Sequence, residues 1–280
     1  MERTEILNLI AEQARQGEIT FPTGLDVSMK ILRQLDDPDC HVELAAQLIR
    51  GEPLIAARVV AVANSAAYNR RAGLEVTDLR NAISRIGLRT VRTLTTAIAT
   101  RQMAGAPTDP ALREIAAKLW EHTAHVASLA HVIARKITHL DPETAFFSGI
   151  VHEIGGFYLI SRAPDFPGLL AGEPADWVET AEPIIGRAIL GRLGVPEPVM
   201  LAVEALWEGL LALPPVSLGD TLLLANELAP VASPLYESGN LRHDLSNAHV
   251  IDAINEDGVM SDILQEAADE VSSLTAALRF

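Results

Sequence analysis

Cysteine, aromatic side chains and positive charge are all scarce in this 280-residue chain. The single cysteine, Cys40, excludes an intrachain disulfide and fits a reducing compartment. Aromatic residues make up 4%, and β-branched residues seldom alternate with polar ones over a strand-length window, so there is little sign of β-structure. Only 22 Lys and Arg stand against 37 Asp and Glu, a formal charge of −15. Phosphate contacts need a Lys/Arg surface that releases counterions. This balance therefore argues against a general nucleic-acid binder, and the same sign disfavours an anionic membrane surface. No stretch approaches the roughly 18 uninterrupted apolar residues of a membrane span. Met1-Glu2-Arg3-Thr4-Glu5 lacks the basic start and apolar run of a signal peptide, and a cytoplasmic protein is expected.

What is abundant is apolar and helix-forming. With 49% hydrophobic and 21% charged residues, the chain carries enough apolar area to offset ordering entropy, which excludes a disordered tail or an acidic linker. At roughly 150 residues per domain, the length suits one large domain or two lobes. Ala, Leu, Ile, Glu and Arg recur at helical spacing almost throughout, so the fold class expected is all-α and multi-helical.

Gly and Pro divide the chain into about a dozen helical segments. Thr4 to Arg15 ends at Gly17. Phe21-Pro22-Thr23-Gly24 then connects to a helix carrying Val27, Met29, Ile31, Leu32 and Leu35, which Asp36-Asp37-Pro38-Asp39 breaks. Val42 to Arg50 stops at Gly51. Pro53 opens a helix to Ala63, since a first-turn proline lacks only an N–H that has no intrahelical partner there. Thr77 or Asp78 caps a helix that terminates near Gly87, with Leu88 to Met103 helical again. Residues 104–110, small and carrying two prolines, are the expected boundary between an N-terminal lobe, 1–107, and a second lobe with the C-terminal helices, 108–280. Beyond it, Ala111 to His139 reads as one long helix. Asp141-Pro142-Glu143 caps and opens another through Ile154, which Gly155-Gly156 ends or kinks. Asp176 with Glu179 resembles a capping box, Pro196 and Pro198 open a further helix, and Ser217 with Asp220 caps the next. Two amphipathic helices are expected from Ser246 onward.

Most of the eight histidines fall in the second lobe. His122 and His125 share a helix face, and His152 precedes a carboxylate, Glu153. Imidazole and carboxylate converging from separate helices are the donors of a divalent-metal site, so His122, His152 and Glu153 form the candidate set. The competing reading makes them satisfied interior or surface side chains, as His131 and His139 are expected to be.

Gly149-Ile150-Val151-His152-Glu153-Ile154-Gly155 resembles the second-histidine segment of HD-domain phosphohydrolases, and Trp120-Glu121-His122-Thr123-Ala124-His125-Val126-Ala127 resembles their first-histidine helix. Upstream, Phe21-Pro22 with Leu25, the Asp36-Asp37-Pro38 break, Pro53-Leu54-Ile55-Ala56-Ala57-Arg58-Val59, Ala63-Asn64-Ser65-Ala66 and Ala82-Ile83-Ser84-Arg85-Ile86-Gly87 are similar to the HDOD family, the HD-related output domain of bacterial signalling proteins. The resemblance runs from Ile19 to Leu206 and implies a two-lobed, HD-like helical fold.

Carried over position by position, the resemblance implies an eroded metal set. His122 and His152 match the two histidines. Glu153 stands where the metal-bridging Asp belongs, and its extra methylene displaces the carboxylate by about an ångström, against a tolerance of about ±0.2 Å in metal–ligand distances. Glu182 stands where the family often has a His, Ala205 and Leu206 replace a histidine pair, and Asn226 replaces the last Asp, a weaker ligand for a hard metal. The implied site is vestigial and no cofactor is expected. The protein is then a non-catalytic signal-transduction output or scaffold module that binds other signalling proteins, partnered with or fused to a receiver or sensor domain. The alternative is a metal-dependent phosphohydrolase or phosphodiesterase using Fe, Mn or Mg.

A cleft between the lobes, around Arg58, Asn64, Ser65, His122 and His152, is the candidate interaction surface. Asn64 and Ser65 lie at a helix end, where backbone capping competes with ligand binding. Arg85, Arg89, Arg92 and Arg101 make the basic row of the sequence, either a solvated face or a site for an anionic nucleotide or nucleic acid.

Overall fold

The structure, a computed structural model, describes residues 2–22, 25–69, 75–171, 176–209, 211–212, 214–236 and 258–279. Among these residues there are helices and connecting turns and no strand. No helix among them is long and apolar enough to cross a membrane.

The first half contributes α1 (Arg3–Arg15), α2 (Leu25–Leu35), α3 (Val42–Arg50), α4 (Pro53–Asn64) and α5 (Leu79–Met103). Asp78 caps α5 by accepting from the Asn81 N–H at 2.9 Å. Gly87 interrupts α5 with φ 81° and ψ 159°, a conformation essentially reserved for glycine, so the chain bends there and then resumes. The second half begins with α6 (Pro110–Ile133), which passes into a π-helical turn, Ala134–Thr138. Then come α7 (Pro142–Val151), α8 (Ile154–Arg162), a second π-helical turn at Trp177–Ala181, α9 (Glu182–Arg192), α10 (Glu197–Glu208), α11 (Leu218–Glu227), α12 (Val259–Glu266) and α13 (Ala268–Leu278).

Two sequence expectations move. The helix expected over 111–139 leaves α geometry after Ile133, and His139 ends it in the left-handed region at φ 54°. The break expected at Gly155-Gly156 falls at His152-Glu153, and both glycines lie inside α8. Their smallness serves packing instead: a Cβ on Gly156 would sit 2.4 Å from Leu235 Cδ1, and one on Gly155 would touch the Trp177 ring at 3.4 Å. The Ser217/Asp220 pair forms a reciprocal capping box at the start of α11. Asp176 precedes the second π turn, but the Glu179 side chain lies outside the described residues, as do Thr23-Gly24 and residues 246–257 of the expected tail.

Apolar side chains from both halves join one buried cluster. α1, first in the chain, packs on α9 and the second π turn, with Arg3 donating to Asp176 at 2.7 Å. α5 lies along α2, α3, α4 and α7, and α11 packs on α6 and α10. Where α7 crosses α6, a Cβ on Gly149 would fall 2.4 Å from Ala127 Cα. This backbone approach, which a side chain would block, sets His152 beside His122.

Candidate metal centre

His122 projects from α6, His152 follows the last turn of α7, and Glu153 stands at the N-terminal cap of α8. They are buried at 1%, 3% and 3% exposure, and a ligand atom from each lies within 4.8 Å of the others. Polar groups so deeply buried are costly unless hydrogen-bonded. His122 Nδ1 lies 2.7 Å from the Val231 carbonyl oxygen and His152 Nδ1 lies 2.7 Å from that of Gly149. The two Nε2 atoms face each other at 3.2 Å. Glu153 Oε1 is 3.9 Å from His122 Nε2, and the Asn226 side chain on α11 lies near enough to favour the charged His122 ring.

Proton counting shows what this arrangement requires. A carbonyl oxygen only accepts, so each Nδ1 donates, and each Nε2 is left with a lone pair turned toward the other ring. Two neutral imidazoles hold two protons for three links. Burial, the larger influence, pushes the His122 imidazolium below its ordinary pKa, against the Val231 carbonyl and the nearby Asn226 side chain, which push it up. The facing lone pairs therefore suit a cation, either one further proton or a metal ion.

The spacing suits an ion. With metal–nitrogen bonds of about 2.1 Å, two imidazoles on one ion stand about 3.0 Å apart at a right angle and about 3.4 Å apart at the tetrahedral angle. Anchoring Nδ1 on a carbonyl is also how metal-ligating histidines are held in the right tautomer. Glu153 is less well placed, since 3.9 Å exceeds that range. The residues fit two bonds to a divalent ion, and the carboxylate completes the set only by moving inward.

The other candidates have partners of their own. Asn64 Nδ2 donates to the Val76 carbonyl at 2.7 Å while its Oδ1 accepts from the Val76 N–H at 2.9 Å, so the amide pins the segment ahead of α5. Ser65 Oγ donates to the Val62 carbonyl at 2.7 Å. Arg58 Nη1 donates to the Ala277 carbonyl at 2.9 Å, which puts α13 against this part of α4. The basic row is engaged throughout: Arg85 donates to the Ala63 carbonyl, Arg89 to Asp141 and Arg92 to Asp36, and Arg101 lies 6.0 Å from the Trp120 ring centre. His131 is buried between the Tyr68 and Phe146 rings, 3.9 Å from Glu143 Oε1. Buried Glu182 accepts from the Tyr236 hydroxyl at 2.6 Å. Sequence reasoning missed the carbonyls of Val231 and Gly149, which fix the tautomers, because a backbone acceptor has no residue signature.

Compared with known protein families, the chain matches the HDOD domain over residues 21–174, more than half of its length. Among solved structures it is similar to a provisionally named metal-dependent phosphohydrolase from Shewanella amazonensis SB2B, with a TM-score of 0.73 and 23% identity over 99% of this chain and 100% of that one. It is also similar to an HDOD domain protein with unknown function from Geobacter sulfurreducens, with a TM-score of 0.60 and 20% identity over 98% and 97%. A provisionally named signal transduction protein from Marinobacter aquaeolei VT8 gives a TM-score of 0.59 and 18% identity over 92% of this chain and 60% of that one. At such identities the likeness establishes the fold. A search of curated proteins returned no match.

Proposed function

The chain belongs to the HDOD family, and from that premise we propose that it is a non-catalytic signalling module that works by contact with other proteins. The observation that carries this reading is the burial of His122, His152 and Glu153. Hydrolysis at a metal needs an open coordination position that water and substrate can reach. Here the three side chains are only 1–3% exposed, and Leu119 and Leu235 pack beside Gly156 and the Glu153 carboxylate. Asn226 in place of a carboxylate further weakens a hard-metal site, and the charge of −15 opposes an anionic substrate. In this reading the cluster joins α6, the α7–α8 junction and α11, and the protein's work is done at its surface on signalling partners such as receiver or sensor domains. The test is affinity capture from bacterial lysate with the chain as bait under several signalling conditions. A partner recovered in stoichiometric amount supports the reading, and recovery of none under any condition overturns it.

The facing Nε2 atoms favour a second reading, a metal-dependent phosphohydrolase. His122 and His152, with Glu153, would hold a divalent ion such as Fe, Mn or Mg, and the ion would supply an activated water. Metal content of protein purified without chelator, measured together with phosphodiester hydrolysis, separates the two readings.

A further inference from the structure

After α11 ends at Glu227, residues 228–236 run on without helix or strand, and they touch the His122–His152 centre from three sides. The Val231 carbonyl accepts from His122 Nδ1 on α6 at 2.7 Å. The Leu235 side chain lies on α8, its Cδ1 2.4 Å from where a Gly156 Cβ would stand. That same point is 3.2 Å from Glu153 Oε2 and 3.3 Å from Leu119 Cδ2. The Tyr236 hydroxyl donates to Glu182 on α9 at 2.6 Å. The segment is therefore a strap over the centre, with Val231 on its imidazole side and Leu235 on its carboxylate side.

The strap is held differently from the helices beneath it. Pro230 and Pro234 have no N–H to give. Among the described residues, the backbone N–H groups of Val231, Ala232 and Ser233 meet no acceptor. From Val231 to Tyr236 the single backbone pair among the described residues is the Tyr236 N–H on the Ser233 carbonyl at 3.1 Å. Ala232 is exposed, Val231, Leu235 and Tyr236 are partly exposed, and Ser233 is buried. His122, His152 and Glu153 are deeply buried by contrast, on or between helices that share one core. A partly exposed segment with few backbone bonds opens at lower free energy than helices packed in a common core. A buried ion site also needs an entry path, and the strap is an element touching the centre that can move aside without unwinding a helix.

We propose that residues 229–236 are a gate over the His122–His152 pair. Seated, they keep water and ions from the facing Nε2 atoms; lifted, they give a divalent cation its way in and out. The proposal rests on the closed centre of the non-catalytic reading and adds that the closure is conditional. Lifting takes the Val231 carbonyl from His122 Nδ1, so the motion that admits an ion also loosens the tautomer that would hold it. It puts no carboxylate in the place of Asn226, so the open state gains access without gaining a ligand.

Acylation of imidazole by diethyl pyrocarbonate, followed residue by residue by mass spectrometry on the full chain, tests the gate without any metal. Exposed His41 is the open reference, and His131, buried between Tyr68 and Phe146, is the closed one. In the wild type, His122 and His152 react about a hundredfold more slowly than His41. Tyr236→Phe removes the bond to Glu182, and Leu235→Ala removes the side chain seated on Gly156. Each variant speeds the reaction of His122 and His152 about tenfold, roughly what one lost hydrogen bond allows, while His131 keeps its wild-type rate. Acceleration at the pair in either variant with His131 unmoved supports the gate. Unchanged rates at the pair in both variants, or His131 rising in step with it, overturn the gate. The protein-contact reading fails separately, on the capture experiment, whose outcome does not depend on the strap lifting.

Discussion

His122 Nε2 and His152 Nε2 approach to 3.2 Å, each ring anchored through Nδ1 on a backbone carbonyl at 2.7 Å. The approach begins in the backbone. Gly149 lets α7 cross α6 in near contact with Ala127, and the Gly149 carbonyl then fixes the tautomer of His152. One glycine therefore serves both the packing of the two helices and the chemistry of the pair.

A cation held between the rings would make them thermodynamically coupled. His122→Ala and His152→Ala are each expected to cost about 1–3 kcal/mol in urea denaturation, because each leaves buried partners behind. The double variant is expected to cost about 1 kcal/mol less than the sum of the two. Repeating the cycle with and without a chelator tells a metal from a proton as the shared cation. Strictly additive costs, or a single variant more stable than the wild type, would show that nothing joins the rings.

The two tight glycines differ in what resists a methyl group. On Gly149 a Cβ meets Ala127 Cα at 2.4 Å and Ala127 N at 2.8 Å, which is backbone. On Gly156 it meets first the tip of a flexible side chain, Leu235 Cδ1. Gly149→Ala is expected to lose about 1–3 kcal/mol or more by denaturant midpoint, and Gly156→Ala less. The reverse order would mean that α6 and α7 are not pressed together as described.

Asp220 gives the acid limb of stability a local source. It accepts from the backbone N–H groups of Ala212, Val216 and Ser217 at 3.0, 3.1 and 2.9 Å, and from Ser217 Oγ at 2.7 Å. Burial alone would raise its pKa, but these donors outweigh burial and hold the carboxyl below the ordinary value. The folded state then binds fewer protons than the unfolded state. The stabilisation is complete above the unfolded value of about 3.9 and is lost as pH falls through the folded one. Asp220→Asn is expected to be less stable than the wild type near neutral pH, with the two denaturation midpoints converging as pH falls below about 4. Parallel curves would contradict this.

Local signals in the sequence carry most of the helix boundaries. Asp141 before Pro142 reads as a cap, and in the structure it accepts from the Thr144 N–H at 3.2 Å. Gly87 reads as a terminator, and in the structure its non-helical backbone separates two helical stretches that meet at a bend. The two π turns are not legible, since an apolar stretch looks alike in α and π winding. Asn64 shows the other limit: its polarity marks a helix end, but its partner, Val76, is identified only by where the following loop returns. His122, His152, Glu153 and Asn226 could be singled out by family resemblance, whereas the carbonyls that orient the rings and the seat of α13 between α4 and α6 depend on long-range packing. Amphipathicity says that a last helix must cover something, and Arg58 bonding Ala277 says what.

The most direct test of the central claim is phosphodiester hydrolysis by the chain loaded in turn with Fe, Mn and Mg, with bound metal counted by elemental analysis and His122→Ala/His152→Ala as the background. The account predicts no turnover above that background with any ion, whatever the metal content. Metal-dependent turnover that the double variant abolishes would contradict it.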